Sequence, residues 1–289
     1  MSVNGRGTTG ERASIEGGGA PPRTFRDAVR LPGRWTPVLL LAVAGLSAVS
    51  LLSQVLKHGV DLDVDGLNTL ERWFFVDREM GIPAWFSTLL LFAAAERLWQ
   101  TATAAKASGD RWHRHWRLLS IAFAYLSLDE LTEIHEQTIP PLKAAFGFSG
   151  VLAFAWVVLA VPLLVVFGLV FLRFLLALPR ATRWAFLVSA ALYCGGAVGV
   201  EMLSAPFFDS AGVETVTTTV VGGVETVTHG VVIESVAYAA VAGVEEALEM
   251  VGSVLFLGAT AVALRQRTGR TVTLPVAPAG DAGRVTAAR

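Results

Sequence analysis

The sequence predicts an all-α fold: a polytopic transmembrane bundle of about six helices with both termini in the cytoplasm. Three observations predict it. The chain has 289 residues, 53% of them hydrophobic and only 16% charged, whereas a soluble domain carries about 25% charged residues. The apolar residues gather into stretches long enough to cross a bilayer, which takes about 20 residues. Basic residues gather in alternate connections, as the positive-inside rule requires of a multi-pass protein. The formal net charge of -1 therefore says less than the place of each sign.

The six apolar segments are residues 37–56, 83–103, 116–138, 150–178, 184–207 and 232–264. In hydrocarbon each must satisfy its own backbone hydrogen bonds. Strong hydropathy without strand alternation makes them helices, not barrel strands. The third carries several acids in its C-terminal half. The fourth and sixth exceed the minimum length and are expected to tilt or protrude. The first follows a basic tail, as a signal peptide would. It is longer than a usual signal core and lacks a small-residue cleavage site before Lys57, so it reads as an uncleaved helix. Residues 1–35 and 266–289 have too few large apolar side chains to offset their ordering entropy and read as disordered cytoplasmic tails. Residues 36–265 form the membrane domain.

Topology follows from the bases. Arg6, Arg12, Arg23, Arg26, Arg30 and Arg34 precede the first helix. Lys106, Arg111, Arg114 and Arg117 fill the second connection. Arg173, Arg180 and Arg183 flank the fourth, and Arg265, Arg267 and Arg270 follow the sixth helix. The fifth connection has no Lys or Arg over residues 209–231. The cell membrane is the expected location, with the basic segments inside. Trp112, Trp116 and Trp184 fit the cytoplasmic interface, Trp73 and Trp85 the outer one.

Several chemistries are excluded or disfavoured. Cys194 is the only cysteine, so neither an intrachain disulfide nor a cysteine metal cluster forms. No Walker A, dinucleotide fingerprint, GxSxG or HExxH motif is present. The run Arg111-Trp-His-Arg-His-Trp-Arg117 mixes bases and aromatics beside a membrane. It reads as a lipid-headgroup anchor, with membrane lipids rather than nucleic acid as partner. Asp61-Leu-Asp63-Val-Asp65-Gly66 opens like a calcium-binding EF-hand loop, but the twelfth position is Arg72 instead of Glu,. The hexapeptide Gly-Val-Glu-Thr-Val-Thr occurs at 212–217 and again at 223–228. It reads as a local duplication in a tolerant loop, and its Val and Thr favour a small hairpin or an extended excursion.

The candidate chemistry lies in intramembrane acids. On the third helix Tyr125, Asp129, Thr132, Glu133 and Glu136 share one face, with His135 at its border and Glu130 in the same acidic run. On the sixth, Glu234, Tyr238, Glu245, Glu249 and Gly252 share a face, with Glu246 at its edge. On the fifth, Glu201 stands above the small residues Ala190, Cys194 and Ala197, while Gly195 and Gly199 form a second small face of the GxxxG type. At 1.5 Å per residue, Glu133, Glu201 and Glu249 each lie about 24–27 Å from the cytoplasmic boundary. Three helices thus aim carboxylates at one level of a core about 30 Å thick.

Each ionised carboxylate near the bilayer centre costs about 2.5–3.5 kcal/mol on insertion scales. Arg97, beside Glu96, is the main basic partner at this depth, for Asp129 or for Glu96 itself. One arginine does not balance this many acids, which leaves protons, a metal ion or water. Glu133, His135, Glu136, Glu245 and Glu249 make a hard-to-borderline ligand set suited to a divalent metal such as Zn, Mn or Fe. The alternative is that the acids are partly protonated, hydrogen-bonded glue between helices. Glu133 and Glu249 are expected to face each other and share a proton or an ion. The function classes that follow are a proton- or metal-linked transporter, a metal-dependent membrane enzyme acting on a lipid or lipophilic substrate, and a non-catalytic accessory protein.

Ser127-Leu-Asp129-Glu130 with His135-Glu136, and Glu245-Glu246-Ala-Leu-Glu249-Met250-Val-Gly252 near the end, resemble a group of uncharacterised bacterial multi-pass membrane proteins. The stretch from Asp77 through Pro83-Ala-Trp-Phe-Ser87 is similar to theirs as well. The resemblance implies the same membrane fold and brings no activity with it. Ceramidase-like membrane hydrolases resemble the chain in helix count and in mixing acids with histidine. They hold zinc with several intramembrane histidines, whereas only His135 is expected within a helix here.

Overall fold

The computed structural model describes residues 21–31, 35–62, 64–78, 80–205, 212–221, 224–233 and 236–269. A helix forms over each apolar segment, with ends set by local chemistry. A short turn, α1 (Phe25–Ala28), precedes α2 (Trp35–Gln54), which runs on as a π-helical turn to Gly59. Then come α3 (Asp65–Phe74), α4 (Ile82–Ala107), α5 (His113–Thr132), α6 (Ile139–Phe146) and α7 (Val157–Ala177). Next, α8 (Arg180–Cys194) continues through a π-helical turn, Gly195–Val200, as far as Ala205. The last helix is α9 (Val236–Thr268). Four of these are long and apolar enough to cross a membrane: Trp35–Gly59, Val157–Ala177, Arg180–Ala205 and Val236–Thr268. The interiors of α4 and α5 carry charge, including Glu96, Arg97, Asp129 and Glu130.

The bundle is built around α9. Its apolar window is 72% buried, against 17–22% for the other three spans, because α2, α4 and α8 all pack on it. Small residues permit this. A Cβ on Gly252 would lie 2.8 Å from the Tyr193 nitrogen, and one on Gly196 would lie 2.7 Å from the Glu245 oxygen. The α8 and α9 backbones therefore nearly touch. The expected GxxxG face is displaced by one residue: Gly195 and Gly199 face open space, and Gly196 makes the contact. Between α4 and α5 the seam is closed by hydroxyls. Ser120 donates to the Ala95 carbonyl at 2.7 Å, and Ser127 donates to that of Thr88 at 2.9 Å.

The basic segments meet at one end of the molecule. Arg265 donates to the Arg30 carbonyl at 2.7 Å, and Arg267 pairs with Asp110 at 2.7 Å. Trp116, which composition assigned to the membrane interface, is 1% exposed and packs edge-on against Phe174 at 4.8 Å. The aromatic side chains of α5, α7 and α8 converge there. The tail reading also ends short of residues 21–31. Ala28, Val29 and Leu31 are buried, and the Val29 carbonyl sits over Gly258 of α9. Residues 1–20, 32–34 and 270–289 of the two expected tails lie outside the described residues.

Three other expectations change. Asp65 and Gly66 lie in the first turn of α3, so they do not form an EF-hand loop, and Asp63 lies outside the described residues. The start of α7 comes at Val157 rather than near 150, because Gly147 and Gly150 take left-handed conformations, φ 69° and 61°, ahead of a 3-10 turn. The duplicated hexapeptides form an antiparallel hairpin, β1 (Gly212–Val221) and β2 (Val224–Ile233), with Thr217 opposite Thr228.

Candidate functional site

The end of α5 shapes the site. Helix geometry stops at Thr132 because Glu133 adopts the left-handed conformation, φ 47°, ψ 43°. A side chain there costs about 1–2 kcal/mol, and such outliers concentrate at functional sites. The reversal carries His135 back over the helix end, off the stripe on which it was expected. Its backbone N–H donates to Asp129 Oδ1 at 3.0 Å, and its ring Nδ1 lies 2.7 Å from Asp129 Oδ2.

Two further links tie the elements together. The His135 ring packs on Trp156 with centroids 4.6 Å apart, and Trp156 Nε1 donates to Glu201 Oε1 at 2.8 Å. The π-helical turn in the Gly-rich stretch before Glu201 is the kind of local widening that recurs at functional sites. Across the site the Tyr238 hydroxyl donates to Asp77 Oδ2 at 3.0 Å. Asp77 is accessible from the cavity, yet the protein packed around it pushes its carboxyl up to about 7; the Tyr238 hydrogen bond opposes the rise and nearby Glu136 adds to it. For His135 burial works against the charged form. The Asp129 hydrogen bond and charge outweigh it, with Glu136 and Glu201 adding to them, and hold the imidazole above its ordinary value.

These groups surround a cavity of about 800 Å³. Asp129, Glu130, Glu133, His135 and Glu136 enter it from α5 and the turn beyond. Glu201 enters from the helix after the π turn, and Glu245, Glu246 and Glu249 from α9. The matched depths of Glu133, Glu201 and Glu249 thus correspond to one shared space. Glu234 of the same expected stripe lies outside the described residues. Glu96 and Arg97 do not line the cavity. Arg97 is 3.9 Å from Glu96 and bonds Gln100, so Asp129 has His135 as its basic partner instead.

Glu130, like the expected partner Glu133, is an α5-side acid that shares this cavity with Glu249. Among the described residues no three His, Cys, Asp or Glu side chains converge closely enough to hold a metal ion. The basic groups lining the cavity are Arg78 and His135.

Asp77, Arg78, Trp156 and Tyr193 were not among the expected site residues, yet all line the cavity. Asp77 and Arg78 sit in the interfacial stretch that enters α4, and only the tertiary fold turns them inward. Tyr193 adjoins Cys194, so the small-residue face of α8 was the signal that pointed nearest to it.

The family described as Domain of unknown function (DUF8692) matches residues 37–264. That range runs from α2 into the last turns of α9 and includes every cavity residue named above. The chain belongs to this family. No curated protein and no solved structure matches it. The match to DUF8692 thus covers the bundle together with its acidic cavity, and assigns it no activity.

Proposed function

We propose that this chain is a six-span permease of the cell membrane, with both termini cytoplasmic and an outward-facing cavity that binds and releases protons or an exchangeable cation. One observation carries the reading. Glu245, Glu246 and Glu249 have no hydrogen-bond or ion-pair partner among the described residues, yet they share a cavity with Glu130 and Glu201. Acids in such numbers persist in a membrane only when protonated, hydrated or balanced by a cation. That no three His, Cys, Asp or Glu side chains among the described residues form a ligand group favours a cation that comes and goes over a resident metal. The meeting of all the basic segments at the end away from the cavity supports the orientation.

Proteoliposomes holding a pH-sensitive dye test the reading. Under an inside-negative potential, with external Na⁺, Mn²⁺ or Zn²⁺ offered in turn, the chain should move protons or one of these cations. Glu249→Gln and Glu246→Gln should abolish the flux, and Glu96→Gln, outside the cavity, should keep it. A wild-type chain that moves none of them, or acid variants that move as much, would overturn the proposal. Labelling of a cysteine introduced at Ser108 by an impermeant reagent in intact cells, with Cys194→Ala removing the native thiol that lines the cavity, would overturn the orientation.

A second reading, a membrane enzyme acting on a lipophilic substrate, is favoured by the Asp129–His135 pair. A carboxylate orienting an imidazole is the base half of many catalytic groups. Hydrolysis of a lipid ester or amide by the purified chain, lost in Asp129→Asn, would replace the permease reading.

A further inference from the structure

The cavity is far larger than a proton or a metal ion needs. Its volume of about 800 Å³ lies in the range of pockets for drug-sized molecules. Its walls are also unequal. Glu130, Glu245, Glu246 and Glu249 make one side acidic, and Leu159, Leu163 and Leu164 of α7 make another apolar. Tyr193, Tyr238 and Trp156 add aromatic surface near the acids. Carboxylates with aromatic faces suit an organic cation, which gains both charge pairing and cation–π contact in a desolvated site. The leucines have no use for an inorganic ion.

The opening points to the route. Tyr125, Leu159 and Leu163 line the cavity while being 49%, 53% and 68% exposed. They mark the part of its rim that belongs to α5 and α7; Met80, 69% exposed, marks another part in the connection before α4. The α7 helix packs on the start of α5 at the basic end, where Phe171 and Phe174 meet Trp112, His115 and Trp116, so an opening between α5 and α7 is confined to the cavity half, beside Leu159 and Leu163. An apolar rim that faces lipid admits a molecule already dissolved in the bilayer.

We infer that the cavity takes an amphipathic organic cation, an alkylammonium with an apolar tail, which enters sideways from the bilayer between α5 and α7. This rests on the cavity being the working site of the permease reading and names its substrate class. The ammonium group sits among Glu245, Glu246 and Glu249, and the tail lies along Leu159, Leu163 and Leu164. An amphiphile with an anionic head is rejected by the same acids.

The full chain in nanodiscs, with empty nanodiscs subtracted, gives the test by calorimetry. Dodecyltrimethylammonium should bind saturably, one per chain, about tenfold or more tighter than tetramethylammonium, and dodecyl sulfate should not bind. Glu246→Gln and Glu249→Gln should each weaken binding about tenfold or more, the scale of one desolvated charge contact. Leu163→Trp, on the lipid-facing rim where folding is at little risk, should weaken the dodecyl probe and leave tetramethylammonium unchanged. Equal affinity for the two ammonium probes, saturable dodecyl sulfate binding, or unaltered affinity in both acid variants would overturn the inference. Saturable binding without proton or cation flux keeps it and removes the permease reading. Flux without binding removes this inference alone.

Discussion

The two halves of α9 live in different surroundings. From Met250 to Leu264 almost every side chain is buried, against α2, α4 and the aromatic cluster of Trp116, Phe174 and Phe186. From Val236 to Glu249 the same helix presents Tyr238, Glu245, Glu246 and Glu249 to a cavity. One half is closed by packing; the other is held open by charge. Close-packed apolar cores respond to single atoms, whereas a polar cavity responds to protons and ligands. The cavity thus lies beside one half of α9, and the packed half closes it off from the basic segments.

Glycine substitutions should break the comparison most severely. A Cβ on Gly258 would lie 2.0 Å from the Val29 carbonyl oxygen, whereas one on Gly243, in the cavity half, meets nothing within 4 Å. Gly258→Ala should cost about 1–3 kcal/mol or more, lower the melting temperature in detergent and speed tryptic cleavage at Arg30. Gly243→Ala should be neutral or stabilise by up to about 1 kcal/mol. Equal melting temperatures for the two variants would mean that the halves do not differ in packing.

Large-to-small changes extend the contrast. Phe174 is fully buried in the aromatic cluster, and Leu163 is exposed on the rim. Phe174→Ala should lose about 3 kcal/mol or more, and Leu163→Ala no more than about 0.5 kcal/mol. Chemical denaturation in mixed micelles reads both.

A smaller, pH-dependent effect sharpens the cavity side. The surroundings of Asp77 in the folded chain push its carboxyl up to about 7 from an ordinary 3.8. The folded state therefore keeps a proton that the unfolded chain releases, and stability falls as pH rises from about 4 to about 7, then levels off. Tyr238 and Glu136 face this carboxyl, and Arg78 lines the same cavity. Asp77→Asn keeps an acceptor for Tyr238 and removes the titration, so its melting temperature should fall less over that window than the wild type's. Parallel pH profiles for the two proteins would show that Asp77 does not hold a proton in the folded chain.

Much of the site could be read from the sequence, because hydropathy makes every intramembrane acid conspicuous. Asp129, Glu130, Glu201, Glu245, Glu246 and Glu249 stand out in apolar runs, and all of them line one cavity. Arg97 stood out for the same reason and belongs elsewhere, since helical position alone does not say which neighbour a side chain meets. Asp77 and Trp156 lie in connecting segments, where polar or aromatic residues are ordinary and carry no periodic signal. The turn at Glu133 was hidden as well. A left-handed residue is expected at glycine, and a glutamate there is imposed by its surroundings rather than by its own preference.

By itself the sequence determined that apolar segments become helices, that charge is confined to their ends and to a few stripes, and that the basic connections belong together. Those properties follow from the bilayer, which demands internal hydrogen bonding and penalises charge, and so acts on each segment separately. The tertiary structure alone decided that α9 is the central helix, that Gly196, Gly252 and Gly258 are its contact points, and that His135 folds back onto Asp129. These depend on which backbones approach within van der Waals distance, a property of pairs of segments far apart in the chain.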